Sequence, residues 1–425
     1  MARGRRVLPL AALTLLVGGG SAGGATREYS TGPLDYPIPD VGTLEVPLRV
    51  LQHGPVSFLA VELQIDHPRD SDLTLSLVAP TGATVVLSAK RGGDAGDFGT
   101  GRACGFELPM FRDDGFTPIA SAKPPFQFDT YIPEQPLRTL YGIDAAGVWK
   151  LRISDDRAGA AGVVRCFRLT VSRRVVERRS ASESGTTAEL SYVERYFRYP
   201  TLRLRISRRG QTLFDAPAHR VRPYGDSTTP VFWQSGGPVR VRDLDGDGEP
   251  EVLVDLFWGG THCCYYTDVY RYVRARGAYR LTVGFWGDLH PSLRDLDGDR
   301  RPEFETGDDR FAYVFTGFAT SVFPIRILHF DHGRFVDATR RFPGLVRRDA
   351  SKLYALYQSE RRKPDGDVGG ILPAWLADEY LLGRGPAGWP VLREAVRRGE
   401  IRPFEHPRIY LRKVRFFLRH LGYIR

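Results

Sequence analysis

Two nine-residue segments carry the densest chemistry in this 425-residue sequence: DLDGDGEPE at 243–251 and DLDGDRRPE at 295–303. Each sets carboxylates at its first, third and fifth positions: Asp243, Asp245 and Asp247 in one, Asp295, Asp297 and Asp299 in the other. The seventh residue, Glu249 or Arg301, can offer its backbone carbonyl, and the ninth, Glu251 or Glu303, closes the set with a carboxylate. Hard oxygen donors at alternating positions around a glycine turn suit calcium. Without a cation the crowded aspartates repel one another, so the spacing predicts a calcium site in each segment. A helix–loop–helix calcium site would need Glu at the twelfth position, but Val254 stands there in a strand-like run. The second copy has Arg300 where the first has Gly248. If that backbone needs a positive φ, Arg adds strain and a like charge to the incoming ion, so the second loop is expected to bind more weakly.

Four cysteines allow three pairings. Cys104 lies in a glycine-rich stretch, and Cys166 sits on the strand face opposite Phe167, Leu169 and Val171, so a bridge between them would fasten that loop to a sheet. Cys263 and Cys264 are adjacent; they either close a vicinal disulfide or are buried as small apolar side chains. With His262 they offer soft-metal ligands, but neighbouring strand residues point to opposite faces, which works against a tetrahedral site. No Ser/His/Asp constellation, HExxH, GxSxG or phosphate-binding loop can be assigned, so no catalytic residue is named and no enzyme activity is expected.

The elements that must position these groups are mostly strands. Apolar residues make up 42% and charged residues 26%, which excludes a disordered chain and a polytopic membrane protein. Gly and Pro number 46 and 30, as a turn-rich β protein requires. Leu59, Val61, Leu63 and Ile65 alternate with polar or small residues, as do Leu73, Leu75 and Leu77, and Trp149, Leu151 and Ile153. Residues 29–173 therefore read as a jelly-roll β-sandwich. Residues 174–190 are polar, Ser/Thr-rich and aperiodic, the composition of a linker. Residues 191–340 hold the repeated loops among aromatic-rich strands, a second, propeller-blade-like β-repeat domain; two clear repeats cannot close a propeller. Residues 341–425 form a basic helical tail, with helices expected at 345–362, 373–382, 386–398 and 407–421. The fold class is thus mainly β with a C-terminal helical tail.

Of the net charge of +10, residues 340–425 contribute 19 Lys+Arg against 9 Asp+Glu, so the rest is balanced. In the last helix Arg408, Arg412, Arg415 and Arg419 form a stripe beside Tyr410, Val414, Phe417 and Leu421. Such a face either is solvated or docks on an anionic envelope polymer or membrane surface. At the other end, Arg3, Arg5 and Arg6 precede an 11-residue apolar run, Val7–Val17, and a small-residue stretch ending near Ala25. Residues 1–25 read as a secretory signal peptide, with Arg5-Arg6 a weak twin-arginine feature and no transmembrane segment elsewhere. The chain is expected outside the cytoplasm, where nucleic acid is not a partner.

The segments IDHPRDSDLTLSLVAPTG (65–82), FRDDG (111–115), PPFQFDTYIPEQPLRTLYG (124–142), VWKLRISDD (148–156) and GVVRCFRLTVS (162–172) resemble, in order, the P/Homo B domain that follows the catalytic domain of kexin- and furin-like subtilases. The resemblance implies a non-catalytic jelly-roll, an association with proteolysis, and calcium at Asp72, Asp113, Asp114 and Asp155. The repeated loops, with FWGGTHCCYYTDVYRY (257–272) and HGRFVDATRRFP (332–343), are similar to the VCBS and FG-GAP repeats of secreted proteins. Together these features point to a secreted, non-catalytic, calcium-binding interaction protein with a protein or envelope polymer as partner. The alternatives are an accessory to a separate subtilisin-like protease, or an enzyme with an unrecognised site in the repeat domain.

Overall fold

The computed structural model describes residues 26–194, 198–220, 228–232, 237–259, 263–363, 366–401 and 407–424. The expected signal peptide and His262 lie outside them. The described residues form two compact units, one running to Glu177 and including Tyr192–Thr201, the other comprising Arg178–Ser191 and Leu202 onward.

The first unit is a sandwich of two mainly antiparallel sheets. Strands Thr26–Ser30, Gly162–Arg173, Val56–Asp66, Met110–Phe111, Thr130–Ile132 and Thr117–Pro118 lie in that order in one, with Tyr36–Ile38 also paired to Gly162–Arg173. The other runs Gly42–Val50, Gly147–Asp155, Leu73–Val78, Thr84–Ala89. Leu59, Leu63, Ile65, Leu75, Leu77, Trp149, Leu151 and Ile153 are wholly buried between them. Each such side chain contributes roughly 1.5–3 kcal/mol of transfer free energy. The indole Nε1 of Trp149 donates to the Ala145 carbonyl at 2.8 Å, so the large ring is buried without an orphaned donor. The outer face of Val56–Asp66, expected to be half-exposed, is covered: Gln64 is buried and its Nε2 donates to the Gly101 carbonyl at 3.3 Å. The covering loop is fastened by a Cys104–Cys166 disulfide with Cα atoms 5.2 Å apart.

The second unit begins where a linker was expected. Residues 174–190 are largely strand: Val176–Glu183 and Thr186–Val193 are joined by Ser184 and Gly185, both at positive φ (47° and 78°), the geometry of a two-residue hairpin turn. Arg203–Arg208 and Gln211–Pro217 complete a four-stranded meander. Two further meanders follow: Val239–Arg242, Glu251–Phe257, Tyr265–Val273, Ala278–Gly287; then Ser292–Arg294, Glu303–Gly307, Ile325–Asp331, Arg334–Asp337. Each acidic loop joins the first two strands of its meander. Leu253, Val269, Trp286, Phe304 and Phe330 pack into one core, so the two loop-bearing sheets support each other.

Four helices follow: α1 (Pro343–Glu360), α2 (Ile371–Leu381), α3 (Gly385–Arg397) and α4 (Pro407–His420), each within a few residues of the expected spans. They are more than a tail. Every residue of α2 from Ile371 to Glu379 is buried, and Phe311, Phe315, Tyr357, Trp389, Tyr410, Val414 and Leu418 pack with it in a separate core. Among the described residues no helix is long and apolar enough to cross a membrane.

Candidate functional site

The two acidic loops fold alike, bond for bond. In each, the first aspartate accepts from the amides three and five residues on: Gly246 N at 2.8 Å and Gly248 N at 3.0 Å for Asp243, Gly298 N at 2.7 Å and Arg300 N at 3.0 Å for Asp295. The third aspartate takes the amide two ahead, Glu249 N or Arg301 N, at 2.8 Å in both. The closing glutamate reaches back to the second residue: Glu251 Oε2 accepts from Leu244 N, and Glu303 Oε2 from Leu296 N, both at 2.9 Å. All these bonds lie within nine residues, so the DxDxD spacing alone suffices to shape the turn. Gly248 has φ +79°, and Arg300 adopts the matching left-handed conformation at φ +69°, the strained placement that the sequence comparison raised.

Carboxylate oxygens of Asp243, Asp245 and Glu251 lie within 4.8 Å of one another, as do those of Asp295, Asp297 and Asp299. The first group is largely buried; the second is exposed. Glu251 and Glu303 have no accessible surface, and in each Oε1 lacks a hydrogen-bond partner. Burial, with the charges of Asp245 and Asp247 adding to it, pushes the Glu251 carboxyl up to about 8; burial, then Asp297, raises Glu303. A buried, underbonded carboxylate facing other carboxylates is costly unless a cation meets it, so these residues fit calcium. The side chains at position seven turn elsewhere: Glu249 is forked by Arg208 at 2.8 and 2.5 Å and met by Arg274 at 3.0 Å. Arg301 lies against Gly246 of the first loop, where an added Cβ would come within 2.6 Å of its Nε.

Three basic residues that sequence reasoning did not assign to the loops meet their carboxylates. Arg271 Nε stands 3.0 Å from Asp245 Oδ2 and 3.6 Å from Glu251 Oε1, and its NH2 group is 2.7 Å from Asp247 Oδ2. In the second loop His329 Nδ1 is 3.2 Å from Glu303 Oε1, and Arg341 is 3.2 Å from Asp297 Oδ2. The pairing registers Val252↔Tyr270 and Phe304↔Leu328 put Arg271 and His329 at the same place, one step along from the closing glutamate's neighbour. Each meander thus carries a basic side chain across from its glutamate.

In the first unit the four expected acidic positions do not form one cluster: Asp72 and Asp155 come together, while Asp113 and Asp114 are engaged elsewhere. Asp113 caps the short 3₁₀ turn Leu137–Leu140, accepting from Leu137 N at 2.6 Å and Arg138 N at 2.7 Å. Asp114 is gripped by Arg112 at 2.7 and 2.8 Å, which holds its carboxyl below the usual range. Asp72 and Asp155 are buried near each other, since Asp155 pairs across the sheet with Leu73. Their partners are Arg69 at 3.6 Å and Arg157 at 3.7 Å for Asp72, and His67 Nε2 at 3.3 Å for Asp155. Asp70, not singled out from sequence, is also fully buried, and burial followed by Asp97 pushes it up to about 7. Cys263 is bonded to its neighbour Cys264, which takes both thiols out of metal chemistry. Tyr266 is buried in the core, whereas Trp258 and Tyr265 are half-buried.

Residues 56–103 match the profile of the proprotein convertase P-domain, and residues 346–421 match that of the sll0997 C-terminal domain. The first match supports the P-domain resemblance; the second makes the helical region a domain known from other chains. A probable thylakoid lumen protein, sll0997 of Synechocystis, is 29% identical over 164 residues, covering 36% of this chain and 46% of its own. An uncharacterised protein of Sinorhizobium fredii, y4bJ, is 28% identical over 221 residues, covering 50% of this chain and 32% of its own. The chain therefore spans less than half the length of these curated relatives. A serine protease of Aeromonas sobria shares 17% identity over 39% of this chain and 28% of its own, with a TM-score of 0.20, too slight a likeness to bear on fold or function.

Proposed function

We infer that the chain is an exported interaction protein without catalytic activity of its own, stabilised by calcium in the loops at 243–251 and 295–303. The observation that carries this reading is the fully buried Glu251, clustered with Asp243 and Asp245 and with one oxygen outside any hydrogen bond; Glu303, equally buried, closes the second loop in the same way. Asp243, Asp245, Asp247 and Glu251 would hold one ion, with the Glu249 carbonyl; Asp295, Asp297, Asp299 and Glu303 the other, with the Arg301 carbonyl. Export is supported by the signal-like residues 1–25, the disulfide, the P-domain match and the lumenal relative. Extracellular modules bind calcium with Kd of roughly 10⁻⁴–10⁻³ M. Millimolar calcium should therefore raise the melting temperature above that in chelator, with magnesium doing less. Asp245→Ala should remove more of the gain than Asp297→Ala, because the first loop is buried and free of the Arg300 strain. Identical melting curves in calcium and chelator would end this reading.

A second reading, an enzyme with its site in the repeat domain, has one observation in its favour. His290 lines a cavity of about 630 Å³ with Ser292, Thr306 and, from α1, Asp349 and Lys352. Neither ring nitrogen of His290 has a hydrogen-bond partner, and Nε2 is 3.7 Å from the buried Asp255. Such a pair can hold and move a proton. Turnover of a chromogenic ester, phosphoester or glycoside that His290→Ala abolishes would favour it over the first reading.

A further inference from the structure

The arginines of the helical region fall into two classes. Four have acidic partners: Arg397 and Arg398 meet Glu394 on the same helix, Arg361 meets Glu400, and Arg384 meets Glu379. Arg393, Arg415 and Arg419 are among those that do not, and they are gathered at one place. Among the described residues none of the three lies within ion-pair distance of a carboxylate, and all three line one cleft of about 350 Å³ between α3 and α4. No acidic residue lines that cleft. Its floor is organised: Trp389 Nε1 donates to Tyr380 Oη at 2.7 Å, and the Arg415 guanidinium lies over the Trp389 ring at 5.1 Å from its centre. An indole fixed from behind therefore orients one guanidinium, a cation–π arrangement that costs little further ordering when a ligand arrives.

Three like charges brought to one concave surface repel, and a low-dielectric wall concentrates their field on whatever enters. Guanidinium groups present paired N–H donors that match the oxygens of a phosphoryl group. The volume suits a phosphoryl group carrying a small polar substituent such as glycerol. Beside the cleft, α4 also exposes Ile409 (44%) and Phe416 (72%), one heptad apart on the helix. Exposed apolar side chains next to arginines are what an interfacial helix presents to headgroups.

We propose that the cleft formed by Arg393, Arg415, Arg419 and Trp389 binds the phosphoryl group of a small phosphoester, whether free or as the headgroup of an anionic lipid. The site is separate from the acidic loops and does not depend on calcium in them.

The test uses the full chain and two probes in low salt: sn-glycerol 3-phosphate by calorimetry, and phosphatidylglycerol/phosphatidylcholine vesicles by sedimentation, with pure phosphatidylcholine as control. Saturable binding to either probe is expected, with at least a tenfold loss in the double variant Arg393→Gln/Arg419→Gln. Arg397→Gln/Arg398→Gln removes the same charge from outside the cleft and should change affinity less than twofold. Arg393→Lys keeps the charge but loses the forked donor, and should also weaken binding. Binding to glycerol phosphate but not to vesicles identifies a soluble ligand; vesicle binding that glycerol phosphate competes away identifies a lipid headgroup in the same cleft. No saturable binding to either probe, or equal losses in the two double variants with unchanged melting temperatures, overturns the proposal.

Discussion

Replacing Arg271 by methionine separates the part of the first loop's stability that the protein supplies from the part that calcium would supply. The guanidinium meets Asp245 at 3.0 Å, Asp247 at 2.7 Å and Glu251 at 3.6 Å, and its side chain is only 19% exposed. Removing one partner of a buried ion pair costs roughly 3–5 kcal/mol, because the remaining charge stays buried and uncompensated. Arg271 keeps some contact with water, and Glu251, already pushed up to about 8, can take a proton, so the low end, about 3 kcal/mol, is expected in chelator. For a unit of this size that is a fall of about 6–12 °C in melting temperature. With Kd of roughly 10⁻⁴–10⁻³ M, calcium at about 10 mM is a ten- to hundredfold excess and returns about 1.4–2.7 kcal/mol. The variant should therefore melt well below wild type in chelator and approach it in millimolar calcium, with a larger calcium gain than wild type shows. Differential scanning calorimetry of both proteins in both buffers reads this directly. A variant that melts with wild type in chelator would show that the guanidinium does not stabilise the loop; a loss that calcium leaves untouched would show that the loop does not take the ion.

Other consequences can be measured independently. Arg300→Gly removes a non-glycine residue from φ +69° and should stabilise the second unit by about 1 kcal/mol in chelator, read from denaturant midpoints; a destabilised variant would mean the side chain contributes more than its backbone costs. Cys104→Ser/Cys166→Ser opens a loop spanning 62 residues and should cost about 4 kcal/mol in the transition of the first unit alone. A shift confined to the second unit's transition would contradict that assignment. Asp378 is pushed up to about 10, by burial first and then by Asp349, so its folded value lies far above its unfolded one. Its contribution is full below about pH 4 and is lost as pH rises toward 10. Asp378→Asn should accordingly gain on wild type between pH 6 and pH 9, a widening gap in melting temperature; parallel curves would rule out a titrating Asp378.

What the sequence determined is what depends on neighbours along the chain. The acidic loops close through bonds spanning two to seven residues, so DLDGDGEPE and DLDGDRRPE specified their own turns, down to the positive φ shared by Gly248 and Arg300. The four helices and the alternating strands of the sandwich were legible for the same reason, since period and end residues are local. The Cys104–Cys166 bridge could be read because Cys104 stands in a glycine-rich stretch and Cys166 on the strand face opposite Phe167, Leu169 and Val171. Residues 174–190 misled because Ala188 and Leu190, buried on alternate positions with Tyr192 beyond them, were hidden among Ser and Thr, and their strand is held between Val176–Glu183 and Arg203–Arg208. Tertiary structure decided the rest. Arg271 and His329 reach their glutamates through cross-strand register, 20 and 26 residues away, and register depends on every side chain in the sheet. Asp113 and Asp114 were drawn apart by the Leu137 and Arg138 amides and by Arg112, whereas cross-strand pairing brought Asp155 beside Asp72. The arginine cleft is set by how α3 packs against α4. No stretch of chain contains it, because a helix's own spacing says which residues share a face and not what that face will meet.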